Sequence, residues 1–86
     1  MPSQLVTVGS RVGLHARPAS IIAAAAAELD AEVTLNVPDG DPVDASSALL
    51  IMTLGAELGD TVEVSSDAAE ALATIADLVA RDLDEE

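Results

Sequence analysis

At 86 residues, with no Phe, Tyr, Trp or Cys, the chain is sized for a single domain, residues 1–86, with a thin core of Ala, Val, Leu, Ile and two Met. It can form neither disulfides nor thiolate metal sites, and its formal net charge of −13 without any lysine excludes nucleic acid and anionic membranes as partners. No apolar run reaches membrane-span length and Met1 does not open a basic-then-apolar leader, so a cytoplasmic protein with no membrane insertion is expected.

Residues 4–8, Gln-Leu-Val-Thr-Val, read as a first strand with Val6 and Val8 on one face. A loop with glycines at Gly9 and Gly13 follows and delivers the chain to His15. Residues 16–29 are alanine-rich, with Pro18 early, and read as a helix because first-turn N–H groups have no partner for proline to remove. His15 falls at its N-cap, and Ile22, Ala25, Ala26 and Leu29 form its apolar stripe. Residues 32–37 alternate, with Val33, Leu35 and Val37 opposed to Glu32, Thr34 and Asn36, as a half-buried strand does. Pro38 to Asp41 make a turn, and residues 42–45 a short return strand whose proline suits a sheet edge.

Ser46 and Ser47 precede a short helix, 48–54, which Gly55 ends where a left-handed residue is wanted. Leu49, Leu50, Ile51, Met52 and Leu54 cannot all face inward from two turns, so some are expected at the surface, open to a partner. Residues 60–65 alternate again as a fourth strand. A last helix begins near Asp67 with Glu70 completing a capping box; Ala68, Leu72, Ile75, Ala76, Val79 and Leu83 form its stripe. Asp77 and Arg81 are spaced for a helical ion pair, and the tail 84–86 is expected to fray.

The order β-α-β-β-α-β-α predicts an α+β domain, an open-faced β-sandwich. Its four-stranded antiparallel sheet has three helices on one face, and the fourth strand inserts between the first and the second.

None of the 16 acids falls in residues 1–27, which hold Arg11 and Arg17 around the single histidine. A helix N-terminus offers backbone N–H groups and the positive end of a dipole, so the segment is suited to an anion. A neutral imidazole is the form that attacks phosphorus. Arg17 could then fork two oxygens of a phosphoryl group on His15, with Pro18 stiffening the turn that presents the donors. The bland reading of the same residues is a plain cap beside a solvated arginine. Their joint occurrence, with acids kept out of the first 27 residues, favours the anion site. No Ser-His-Asp set, Walker loop or metal-ligand spacing competes, so no metal, no cofactor and no autonomous enzyme activity are expected.

Gly13-Leu14-His15-Ala16-Arg17-Pro18-Ala19-Ser20 resembles the active-site signature of the HPr family, the histidine-containing phosphocarriers of the phosphoenolpyruvate-dependent sugar phosphotransferase system. Chain length, element order and the stretch from Ser46 to Gly55 fit the same family. The resemblance implies an HPr-like domain that takes a phosphoryl group from phosphorylated enzyme I on His15 Nδ1 and passes it to sugar-specific IIA proteins, with Arg17 assisting. His15 and Arg17 are its catalytic pair. It also implies docking through the surface around His15 and the short second helix, for which Ala16, Ser20, Leu49 and Met52 are the candidates, and a monomeric carrier. Many members are phosphorylated by an HPr serine kinase at the start of that helix, which corresponds to Ser47. Here Ser46 and Ala48 flank it, where the regulated members carry lysine and isoleucine, and capping alone explains a serine at this place. A regulatory HPr paralogue, acting by phosphorylation-dependent protein binding, is the alternative function, and a generic small-anion or peptide-binding module is a third.

Overall fold

Alternation along the strands decides which face of the sheet is covered. The computed structural model describes residues 2–81, with β1 (Ser3–Thr7), α1 (Ala16–Glu28), β2 (Thr34–Asn36), β3 (Val43–Asp44), α2 (Ala48–Thr53), β4 (Thr61–Ser65) and α3 (Ala69–Ala80) in chain order. The sheet order is β1-β4-β2-β3 and every pairing is antiparallel, so the fourth strand lies between the first and second as the crossover argument requires.

The register aligns Val6 with Val62, and Leu35 with Val64 on one side and Val43 on the other. With period-two alternation these residues share one face, and Val6, Val62, Val64 and Leu35 are buried beneath the helices. The opposite face carries Leu5, Glu63 and Asn36 in register and is open to solvent, leaving Leu5 67% exposed. The helices contribute Ile22, Ile51, Ile75 and Val79 to the same core, together with closely packed alanines such as Ala19, Ala26 and Ala76.

The first strand is shifted by one residue from the pattern, and the second is shorter at its ends. The first strand runs 3–7, and Val8 instead bonds outside the ladder, donating to the Asp60 carbonyl at 2.8 Å. The second strand runs 34–36 within the expected 32–37, although Val33 still accepts from Ala45 N–H at 2.9 Å. The alanine-rich helix buries Pro18, Ala19, Ile22, Ala23 and Ala26, while Ala25 and Leu29 of the expected stripe are half-buried. A helix made mostly of alanine offers little contrast between its faces, so periodicity finds Ile22 and Ala26 but not the burial of Pro18, Ala19 and Ala23.

The capping box expected at Asp67 does not form. α3 takes Ala68 as its N-cap without a side-chain bond, because the buried Ser66 accepts the Ala68 N–H on its Oγ at 3.2 Å and the chain turns into the helix from there. Glu70 remains in the first turn, where it favours the dipole. Asp77 and Arg81 pair at 3.0 Å as their spacing predicts. Leu83 and the tail 84–86 lie outside the described residues. In the turn after β2, Gly40 N–H bonds the Val37 carbonyl at 2.9 Å, and Asp39 takes the left-handed conformation at φ 69°. Asp44 closes the next turn, accepting from the Ser46 N–H and the Ser46 hydroxyl at 2.9 and 2.7 Å. Those two bonds hold its carboxyl below the ordinary carboxylate value, the backbone bond contributing most.

Candidate functional site around His15

The loop from Gly9 to Leu14 is anchored at both ends. Gly9 N–H donates to the Val79 carbonyl of α3 at 3.1 Å, and Leu14 N–H donates to the Ala56 carbonyl at 2.9 Å. Between them the turn closed by Gly13 N–H on the Ser10 carbonyl projects Arg11 and Val12 to the surface, with Val12 48% exposed. Leu14 is buried, so the chain surfaces again only at His15.

His15 is the N-cap of α1 at φ −91° and ψ −160°, and its side chain makes no capping bond. Its carbonyl accepts the Ala19 N–H at 2.8 Å, which starts the helix ladder and leaves the imidazole exposed at the helix end. In a helix start of this kind the first three N–H positions have no intrahelical acceptor. Pro18 occupies the third and carries no N–H, so Ala16 and Arg17 hold the backbone donors that face outward along the axis. No acidic residue occupies the first turn, and the 13 residues of α1 supply a full dipole. Arg17 is exposed, with its guanidinium two positions from the imidazole in the chain.

Ala16 and Ser20 are both exposed and stand one helical turn apart on α1. α2 packs against α1, and Gly55 at φ 64° ends it and leads into Ala56, which is bonded to Leu14. The C-terminal end of α2 is thus brought beside the residue that precedes His15. On α2 only Ile51 is buried; Leu49 is 70% exposed, Leu50 is 39% exposed and Met52 is half-buried. The surplus of apolar residues in this helix therefore does reach the surface, and Leu50 joins Leu49 there. Ser47 caps α2, its Oγ accepting the Leu50 N–H at 3.3 Å.

Two features of the site were not legible in the sequence. One is the bond between Leu14 and Ala56, two residues 42 positions apart whose pairing no local pattern announces. The other is Glu57, whose backbone lies against Gly13: absence of acids from residues 1–27 of the chain is not absence of acids from the neighbourhood of the loop. The glycine at position 13, directly ahead of the histidine, was the signal available for a close backbone approach.

Two surface concavities, of about 260 and 430 Å³, lie elsewhere, the first against Ala26, Leu29, Glu32 and Asp44 and the second against Pro38 and Asp60. Neither is lined by residues of the His15 segment, where the histidine itself is exposed at the start of α1. No described helix is long and apolar enough to cross a membrane.

The family model of the phosphotransferase-system HPr component phosphorylation site matches residues 2–81. The phosphocarrier protein HPr of Streptomyces coelicolor is 47% identical over 88 aligned positions, covering 99% of this chain and 95% of its own. The phosphocarrier protein NPr of Klebsiella oxytoca is 30% identical, covering 90% and 86%. The crystal structure of a phosphocarrier protein HPr from Bacillus anthracis superposes with a TM-score of 0.83 at 30% identity, over 91% of this chain and 95% of that one. Sequence, fold and an exposed histidine at a helix N-terminus agree, and the chain belongs to the HPr family of phosphocarriers of the phosphotransferase system.

Proposed function

We propose that this chain, acting as one HPr domain over residues 1–86 in the cytoplasm, carries a phosphoryl group on His15 between phosphorylated enzyme I and sugar-specific IIA proteins. The observation that carries the reading is the exposed imidazole at the N-cap of α1, spent on no capping bond, above a first turn without acidic residues. The ring nitrogen's lone pair forms the new bond to phosphorus while the donor's bond to phosphorus breaks and its electron pair stays with the donor. Nothing is consumed: the reverse exchange with an IIA protein restores the free imidazole.

The incoming group brings about two negative charges. The Ala16 and Arg17 N–H groups and the helix dipole oppose that charge, and the planar Arg17 guanidinium can fork two of its oxygens. These contacts are strongest when charge is fully developed on the phosphoryl oxygens, so they favour the loaded carrier without holding a neutral ligand. Ala16, Ser20, Leu49 and Met52 form the docking surface in this reading, a rim along α1 and α2 on which Ala16, Ser20 and Leu49 are exposed and Met52 is half-buried. Ser47 is the candidate for regulatory phosphorylation, and its place at the start of α2 puts any added charge at the edge of that rim.

The test is to incubate the protein with enzyme I and phosphoenolpyruvate and look for an acid-labile, base-stable phosphate that then moves to an IIA protein. His15→Ala should abolish the label. Label that forms but is never passed on would favour the regulatory alternative, and absence of label on the wild-type chain would refute the carrier reading.

A further inference from the structure

Gly13 closes the loop that carries His15, and the chemistry above gives it no part. It sits in left-handed backbone at φ 74°, and a Cβ placed on it would lie 2.5 Å from the Ala56 carbonyl oxygen and 2.8 Å from Glu57 Cα. Both neighbours are main chain, so no side chain can swing away to make room. The same Ala56 carbonyl accepts the Leu14 N–H at 2.9 Å, and Leu14 and Ala56 are each buried. Just beyond, Val8 N–H donates to the Asp60 carbonyl and Gly59 N–H to the Val8 carbonyl, at 2.8 and 3.0 Å. The His15 loop is therefore bonded to the segment joining α2 to β4 at Ala56, while Val8, ahead of the loop, is bonded at Gly59 and Asp60.

We propose that Gly13 is a positioning residue for phosphoryl transfer. Its missing side chain lets the loop close on the Ala56 carbonyl and so fixes the His15 ring relative to α2 and to the first turn of α1. The inference rests on the carrier reading of His15. Any L side chain at position 13 must part the two backbones by about 1 Å to reach ordinary contact. A displacement of that size at a reacting group costs on the order of 100-fold in rate, because attack at phosphorus requires near alignment at short range. The docking residues themselves are untouched by the change.

The test compares Gly13→Ala with Gly59→Ala. Gly59 is equally left-handed, at φ 89°, but a Cβ there would meet nothing within 4 Å, so it reports backbone strain without the clash. Both variants are assayed where circular dichroism shows them folded. We expect the rate of His15 phosphorylation at saturating enzyme I to fall 10- to 100-fold in Gly13→Ala with KM changed less than about threefold. Gly59→Ala should stay within about twofold of wild type in both. Amide hydrogen exchange keeps the inference testable even if Gly13→Ala is weakly stable: Leu14 N–H should lose protection in that variant while Ala19 N–H retains it.

A wild-type maximal rate in Gly13→Ala, an equal loss in Gly59→Ala, or an unchanged Leu14 amide overturns the positioning role and leaves the carrier reading standing. No phosphate on the wild-type chain overturns both.

Discussion

Replacing Ile51 by alanine tests whether α2 is held to the fold by a single side chain. The helix has six residues, too short to persist alone in water, and Ile51 is the one residue in it that is buried, with no exposed surface. Truncating a fully buried isoleucine to alanine costs about 2–5 kcal/mol in lost transfer energy and residual cavity. A domain of this size holds about 4–13 kcal/mol in total. With no aromatic residue to fill the gap, the upper part of the 2–5 kcal/mol range is expected, and the melting temperature should fall by roughly 15–40 °C. Because the chain has no Trp or Tyr, unfolding is followed by far-ultraviolet circular dichroism or calorimetry. Leu49→Ala is the matched control, since Leu49 is 70% exposed on the same helix: its melting temperature should move by less than about 4 °C, while its KM for enzyme I should rise. Equal losses of stability in the two variants would refute the assignment of one face of α2 to the core and the other to a partner.

Two further outcomes follow from single groups. The Ser10 hydroxyl is buried without a hydrogen-bond partner among the described residues, so Ser10→Ala should stabilise the fold by about 1 kcal/mol, and a lower melting temperature would mean that the hydroxyl is satisfied after all. Asp44 is held below its ordinary value by the Ser46 N–H and then by the Ser46 hydroxyl. A depressed carboxyl stabilises the fold above its unfolded value, about pH 4, and loses that contribution as pH falls through the folded value. The stability gap between wild type and Asp44→Asn should therefore be constant from pH 7 to pH 5 and close between pH 4 and pH 2. The other carboxylates are common to both proteins and cancel; a gap independent of pH would refute the bond.

Wherever a face alternates between strongly apolar and polar residues, element and face could be read directly. Val62 and Val64 against Thr61 and Glu63 is such a case, and the observed β4 differs by one residue from the segment read. Contrast failed in α1, where alanine lies on both sides, and at α3, where Asp67 and Glu70 satisfied a local rule while a buried Ser66 supplied the bond instead. A capping preference is worth about 1 kcal/mol and yields when packing fixes the entry of the chain by a different route.

By itself the sequence determined the order of the elements, the insertion of the last strand between the first two, and the placing of the only histidine at a helix start beside Arg17. These follow from periodicity, from the hand of crossovers and from capping, all of which act over a few residues or through chirality alone. Only the tertiary structure decided which apolar residues of α2 stay outside, that Glu57 lies against Gly13, and that the Ala56 carbonyl receives Leu14. Those outcomes depend on contacts between segments about forty residues apart, set by close packing of whole elements, and such packing leaves no periodic trace in either segment.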